Sequence, residues 1–413
     1  MATNANQVTP VPPGFGLQSA DVDFFQSDST LDKVVTLSPN TITPVQLNTF
    51  NNLDVVTQWF LGTDLNVTAP TGTTNTASAI APYSALESVV LNVQNTFYPI
   101  NTSGIDLYIK NTLWPWYPKA RWNSQLPTTT QTYPAVEQRL LGADSQTITS
   151  SNIVFNDLIP IGPSMRFDSY AHIDFATGNT LAINGQVFQR AYVGTQLLGG
   201  TNRTIFPKVN FNPIVGSNTQ NGLYTVTGTQ TAAASGTATL NTYREGYYNL
   251  GPGTYPSVTD WVPIWQTFPI TVGSQSTWVY DLPKTYQILG VVLRFFDPGT
   301  GTVPSPSAIN TLDLKIGSGL FIAQDTPATN LMRLNQHLEV PNQIPQGVYG
   351  WDRAHDHNGN VTNRRAINTI ITNGAQVSVN FNTPMSSEGM CYLSILALQY
   401  VQQSGITASG SGA

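Results

Sequence analysis

Strict two-residue alternation of apolar and polar side chains, broken at short intervals by turn-forming residues, limits this chain's fold more than any other feature. In the run from Glu87 to Phe97, Val89, Leu91, Val93 and Phe97 fall on one face, with Asn92, Gln94 and Thr96 opposite. Ile105, Leu107 and Ile109 alternate with Asp106, Tyr108 and Lys110. Leu312, Leu314 and Ile316 alternate with Asp313, Lys315 and Gly317, and Val377, Val379 and Phe381 with Ser378, Asn380 and Asn382. Successive strand side chains point to opposite faces, so each run predicts a strand with one buried face. Asn184-Gly185 sits between two such segments and supplies the two positive-φ positions of a type I′ hairpin. Asn373-Gly374 precedes another strand in the same way, while Pro252-Gly253 and Pro298-Gly299 mark loops.

Helical signals are few. In the segment from Asp325 to Val340, Thr326 is placed to cap, Pro327 suits the first helical position, and Leu331, Leu334 and Leu338 share one face. Residues 134–142 carry a weaker signal. The expected class is all-β with a few short helices.

Composition supports this. Only 10% of the 413 residues are charged, against about 25% in ordinary soluble domains. About a third are Ser, Thr, Asn or Gln. A long helical or coiled-coil protein would be rich in Ala, Glu, Lys, Leu and Arg. With 8 Trp, 17 Tyr and 17 Phe, the chain has enough large apolar surface to fold around. A net charge of −6, and no basic run longer than Arg364-Arg365, argue against nucleic-acid binding, which needs a basic footprint. No stretch approaches the ~18 apolar residues of a membrane span. The opening MATNANQVTPVPPGFG has neither the basic start nor the apolar block of a secretory signal. The one cysteine, Cys391, excludes an intrachain disulfide. It lies in the apolar run CYLSILALQYV and is expected to be a buried, inert thiol.

Residues 1–33 lack sustained alternation and contain Pro12-Pro13, Gly14 and Gly16, which predicts an N-terminal arm. Residues 403–413 read as a flexible polar tail. The Gly- and Pro-rich stretch 246–257 divides the body into two sandwich-sized units, 34–248 and 258–402. Both units begin with alternating strands and contain an Asn-Gly turn, a weak sign of duplication without a sequence repeat.

The inventory for chemistry is short. The histidines are His172, His337, His355 and His357. His355, Asp356 and His357 lie near Asp352, a set that could ligate Zn²⁺. Asn358-Gly359-Asn360 follow at once, which favours a solvated loop. No G-x-S-x-G elbow, phosphate loop or obvious carboxylate pair is present. Trp114, Trp116, Tyr117 and Trp122 form a dense aromatic cluster that could stack on sugars, fill a core or fill a subunit interface. The sequons at Asn66, Asn101, Asn202 and Asn360 reflect the abundance of Asn and Thr. No catalytic, cofactor-binding or metal residue is assigned, and no enzymatic activity is expected. The profile fits a structural protein or a binding module; the alternative function is a glycan-binding two-domain β-sandwich, such as a phage spike or lectin.

The ordered series VYDLPKTYQILGVVLRFFDPGTG, LDLKIGSG, LMRLNQHLEV, PQGVYGWDR, INTIITNGAQVSVNFNTP and CYLSILALQYV resembles the second jelly roll of the major capsid proteins of tectiviruses, tail-less phages with an internal membrane. The segment Pro345, Gly347, Val348 and Tyr349 carries most of the resemblance, which covers residues 258–402; the first half is similar in pattern and size. The resemblance implies two side-by-side eight-stranded jelly rolls in one subunit and three subunits in a pseudo-hexagonal capsomer of an icosahedral shell. Its implied partners are other copies of itself, vertex (penton) and minor capsid proteins, and the internal membrane through the N-terminal arm, without direct nucleic-acid contact. Its implied location is the virion, assembled in the host cytoplasm. The arm here departs from the family pattern: it has no basic amphipathic helix, and Lys33 is its one positive side chain.

Overall fold

A computed structural model of the chain describes residues 25–49, 55–78, 81–93, 97–113, 145–162, 197–198, 205–218, 220–247, 261–317, 319–331, 346–353 and 366–400. In the first half the strands are β1 (Phe25–Thr36), β2 (Thr43–Gln46), β3 (Val55–Thr68), β4 (Thr74–Ala77), β5 (Leu86–Val93), β6 (Phe97–Thr102), β7 (Ser145–Ile148), β8 (Asn152–Gly162), β9 (Leu197–Leu198), β10 (Ile205–Phe211), β11 (Tyr224–Thr227) and β12 (Ser235–Tyr247). A helix, α1 (Gly104–Leu113), follows β6. In the second half they are β13 (Trp261–Thr271), β14 (Thr277–Leu282), β15 (Tyr286–Phe296), β16 (Ile309–Ile316), β17 (Leu320–Pro327), β18 (Val348–Asp352), β19 (Ile367–Asn368), β20 (Ala375–Phe381) and β21 (Met390–Tyr400).

The two halves share one topology. In the first, the sheets run β1-β12-β3-β8 and β2-β10-β5-β6; in the second, β13-β21-β15-β18 and β14-β20-β16-β17. With β4, β7, β9, β11 and β19 set aside as additions, each half has eight principal strands. Counted from its own N-terminus, each half then has sheet orders 1-8-3-6 and 2-7-4-5. Two four-stranded sheets so interleaved make a jelly roll. The duplication hinted at by the paired Asn-Gly turns is therefore a duplication of topology.

The two rolls share a sheet. β6 of the first pairs in parallel with β13 of the second, with Ile100 opposite Trp265 and Asn101 opposite Gln266. Because that pair is parallel, both rolls point the same way. β1 begins where β12 ends, at Phe25 opposite Tyr247, and β13 begins where β21 ends, at Trp261 opposite Tyr400. Those four strand ends lie at one common pole.

The alternation in β5, β10, β16 and β20 buries the residues it should. Val89, Leu91 and Val93, Leu312 and Leu314, and Val377, Val379 and Phe381 all face the interior. Strand β15 is different, with Ile288 through Phe296 buried on both faces. Burial of each such side chain contributes about 1.5–3 kcal/mol. The turn at Asn373 (φ 57°) and Gly374 (φ 107°) has two consecutive positive φ angles, as its sequence predicts.

Four expectations are corrected. Ile105, Leu107 and Ile109 lie in α1 rather than in a strand. Ser103 Oγ accepts the N–H of Asp106 and donates to Asp106 Oδ2 at 2.6 Å, so a capping residue starts a helix where a short apolar run was ambiguous. Tyr108 is buried as well, because α1 is enclosed on several sides. Phe97 does not extend the strand of Val89; it opens β6, which folds back antiparallel to β5 with Phe97 opposite Val93. Thr326 and Pro327 close β17, and helical turns begin at Ala328. Residues 25–33, expected in an arm, belong to β1. A bulge between Leu31 and Lys33 breaks the two-residue period there and hides the strand in the sequence. The Asn184-Gly185 hairpin and the helical signal at 134–142 lie outside the described residues.

Candidate functional site

The richest constellation of polar groups lies on the seam between the rolls. Helix α1 carries Asp106 and Lys110 one turn apart, which puts them on the same face. Both are buried, with Asp106 1% and Lys110 6% exposed. Asp106 turns to the second roll. Arg294 of β15 donates to it twice, Nε to Oδ1 at 2.8 Å and a terminal nitrogen to Oδ2 at 2.9 Å, in a bidentate pair. The other terminal nitrogen of Arg294 donates to Gln220 Oε1 at 2.6 Å, and its guanidinium lies 4.0 Å from the ring centroid of Tyr392 on β21. Lys110 turns to the first roll and donates from Nζ to the Ile161 carbonyl of β8 at 3.0 Å.

Burial works against charge on both cations, with opposite outcomes. For Arg294 the loss of solvent lowers the pKa, but the charge and hydrogen bonds of Asp106 outweigh it, and the net shift is upward. Lys110 has no such compensation, and burial pushes its amine down to about 7.

A second polar set lies along the parallel pair. Trp265 donates from its indole nitrogen to Thr102 Oγ1 at 3.0 Å, and the hydroxyls of Thr102, Thr267 and Ser394 follow one another at 2.8 Å spacings. Gln266 donates to the Tyr98 carbonyl at 2.8 Å. These contacts join β6, β13 and β21, so the seam is bonded by backbone, side-chain hydroxyls and a buried ion pair. None of its described groups pairs a nucleophile with a base.

Cys391 is fully buried on β21, and burial raises its pKa far above the ordinary thiol value. Among the described residues no three His, Cys, Asp or Glu side chains come together as a metal set, and no helix is long and apolar enough to cross a membrane. Asp352 closes β18, half-buried. His172, His337, His355, Asp356 and His357 lie outside the described residues, as do Trp114, Trp116, Tyr117 and Trp122. Asn66 and Asn101 are exposed strand residues; Asn202 and Asn360 lie outside the description. In the Pro345–Tyr349 motif, Gly347 has φ 78°, and a Cβ there would collide with Val303 Cγ1. Val348 and Tyr349 after it are buried. Sequence reading missed the seam, because its ion pair joins residues 188 positions apart.

The chain matches no protein-family model and no curated protein. Solved structures do match. The crystal structure of the STIV MCP superposes with a TM-score of 0.54 at 12% identity, covering 92% of this chain and 99% of that one. A structure of Sulfolobus Turreted Icosahedral Virus gives 0.53 at 12% identity, covering 91% of both chains. The PBCV-1 virus capsid gives 0.53 at 10%, covering 93% of this chain and 96% of its counterpart. Likeness at such low identity is likeness of fold, and it extends over nearly the whole length of each partner: this chain has the double jelly-roll fold of viral major capsid proteins.

Proposed function

We propose that the chain is a major capsid protein, three copies of which form a pseudo-hexagonal capsomer of an icosahedral shell around an internal membrane, as in the tectivirus-like phages its second half resembles. The observation that carries this reading is the in-chain joint of two rolls with one topology and one orientation. Two like rolls per chain give six around a three-fold axis, a near-hexagonal tile that packs without gaps. The seam supports a structural rather than enzymatic role, since Asp106 and Arg294 are used in holding the rolls together. On this reading the partners are other copies of the chain, vertex and minor capsid proteins, and the membrane, approached by residues N-terminal to Phe25. The location is the virion, after assembly in the host cytoplasm. The domain division at 246–257 belongs to the same proposal, with β12 ending at Tyr247 and β13 starting at Trp261. Electron microscopy of the purified protein tests it: hexagonal plates, three-fold particles or closed shells are expected, and a field of single elongated particles at micromolar concentration overturns it.

A further inference from the structure

The joint between the rolls leaves its two outer counterparts open. Within the chain, the fifth principal strand of the first roll, β6, pairs with the first strand of the second, β13. The fifth strand of the second roll is β17, and the first strand of the first roll is β1. Among the described residues β17 pairs only with β16, and β1 only with β12.

The two fifth strands differ as a covered edge differs from a bare one. Four of the six residues of β6 are buried, whereas no residue of β17 is. Leu320 (65% exposed) and Phe321 (40%) stand on β17 and Val34 (67%) on β1. A bare edge with large apolar side chains is a template for another strand, and proteins that keep one open usually blunt it with charge or proline. On β17 the exposed Asp325 and Pro327 stand in its C-terminal half, leaving Leu320 to Ala323 free of charge and proline, and the charges of β1, Asp28, Asp32 and Lys33, precede Val34.

We infer that the β17 edge of one copy docks on the β1 edge of the next, repeating between chains the parallel β6–β13 joint made within each chain. The docked sheet would read β14-β20-β16-β17 and then β1-β12-β3-β8 of the neighbour. That is the strand order of the in-chain sheet, β2-β10-β5-β6 followed by β13-β21-β15-β18. The contact is heterologous, using a different patch on each copy, so it propagates head to tail until it closes into a ring. Closure at three copies rests on the capsid reading above; the identity of the mating edges rests on the strand topology.

Sedimentation velocity of the full chain at micromolar concentration tests this. Wild type should run as three copies. Leu320→Lys/Phe321→Lys and Val34→Lys should each lose the three-copy species while keeping the wild-type far-ultraviolet circular dichroism. Ile370→Lys/Ile371→Lys, which charges an apolar turn off both edges, should stay trimeric. An equimolar mixture of the two edge variants should give a two-copy species and nothing larger, because one intact β17 edge meets one intact β1 edge and the ring cannot close. Trimers surviving in both edge variants, or lost equally in the Ile370/Ile371 control, overturn the edge assignment and leave the capsid reading standing. A single-copy wild type overturns both.

Discussion

Arg294 and Asp106 face each other across the boundary between the rolls with both guanidinium–carboxylate bonds formed, at 2.8 and 2.9 Å, and almost no solvent reaching either group. Removing one partner leaves a buried charge uncompensated, which typically costs about 3–5 kcal/mol, whereas replacing both with apolar groups is often neutral. Asp106→Ala should therefore lower the melting temperature sharply. Asp106→Leu combined with Arg294→Met should recover most of the loss. Thermal unfolding of Asp106→Leu, Arg294→Met and the double variant closes the cycle; a double variant that falls by the sum of the two single losses would show that the pair contributes little.

Lys110 makes stability depend on pH. Its amine titrates near 7 in the folded chain and near 10.5 when unfolded. Between those values the unfolded state holds the extra proton, so stability rises with pH across that window, by at most about 1.4 kcal/mol per unit. Below about pH 7 both states are protonated and the burial penalty is felt in full. Melting temperature should climb from pH 7 to 9, and Lys110→Met should flatten that rise while raising stability at pH 6. An unchanged slope in Lys110→Met would assign the pH dependence elsewhere.

Gly347 needs both its positive φ and its missing side chain. Gly347→Ala would strain the backbone and press on Val303 while β18 is held against β15, at a cost of about 1–3 kcal/mol. Gly301 also has a positive φ but has open space around it, so Gly301→Ala should cost the backbone strain alone, about 1–2 kcal/mol. Comparing the two melts separates backbone strain from steric collision.

Cys391 should be silent toward thiol reagents. Its burial and raised pKa leave almost no thiolate at neutral pH. A colorimetric thiol assay should detect no reactive group in the native protein and one per chain in guanidinium. Rapid labelling under native conditions would mean that β21 opens readily.

The sequence makes the strands legible where one face is wet, as in β5, β16 and β20, because burial there imprints a two-residue period. It fails where that imprint is erased. β15 is buried on both faces and reads as a continuous apolar run; β1 is bulged; α1 is enclosed, so its buried Tyr108 masks the helical period. The seam is illegible for another reason. Asp106 lies among alternating apolar residues and Arg294 interrupts the apolar run of β15, but neither local sequence names a partner, and only the fold brings them together. The resemblance in the second half supplied what periodicity could not, the order in which the strands pair.

The parallel run of β6 beside β13 also gives the molecule a heads and a tails. Phe25 and Tyr400 sit at the same pole, so the chain enters β1 and leaves β21 at one end of the rolls. If copies assemble as proposed, tiles with that asymmetry would build a wall whose two surfaces differ from the moment the first two copies meet.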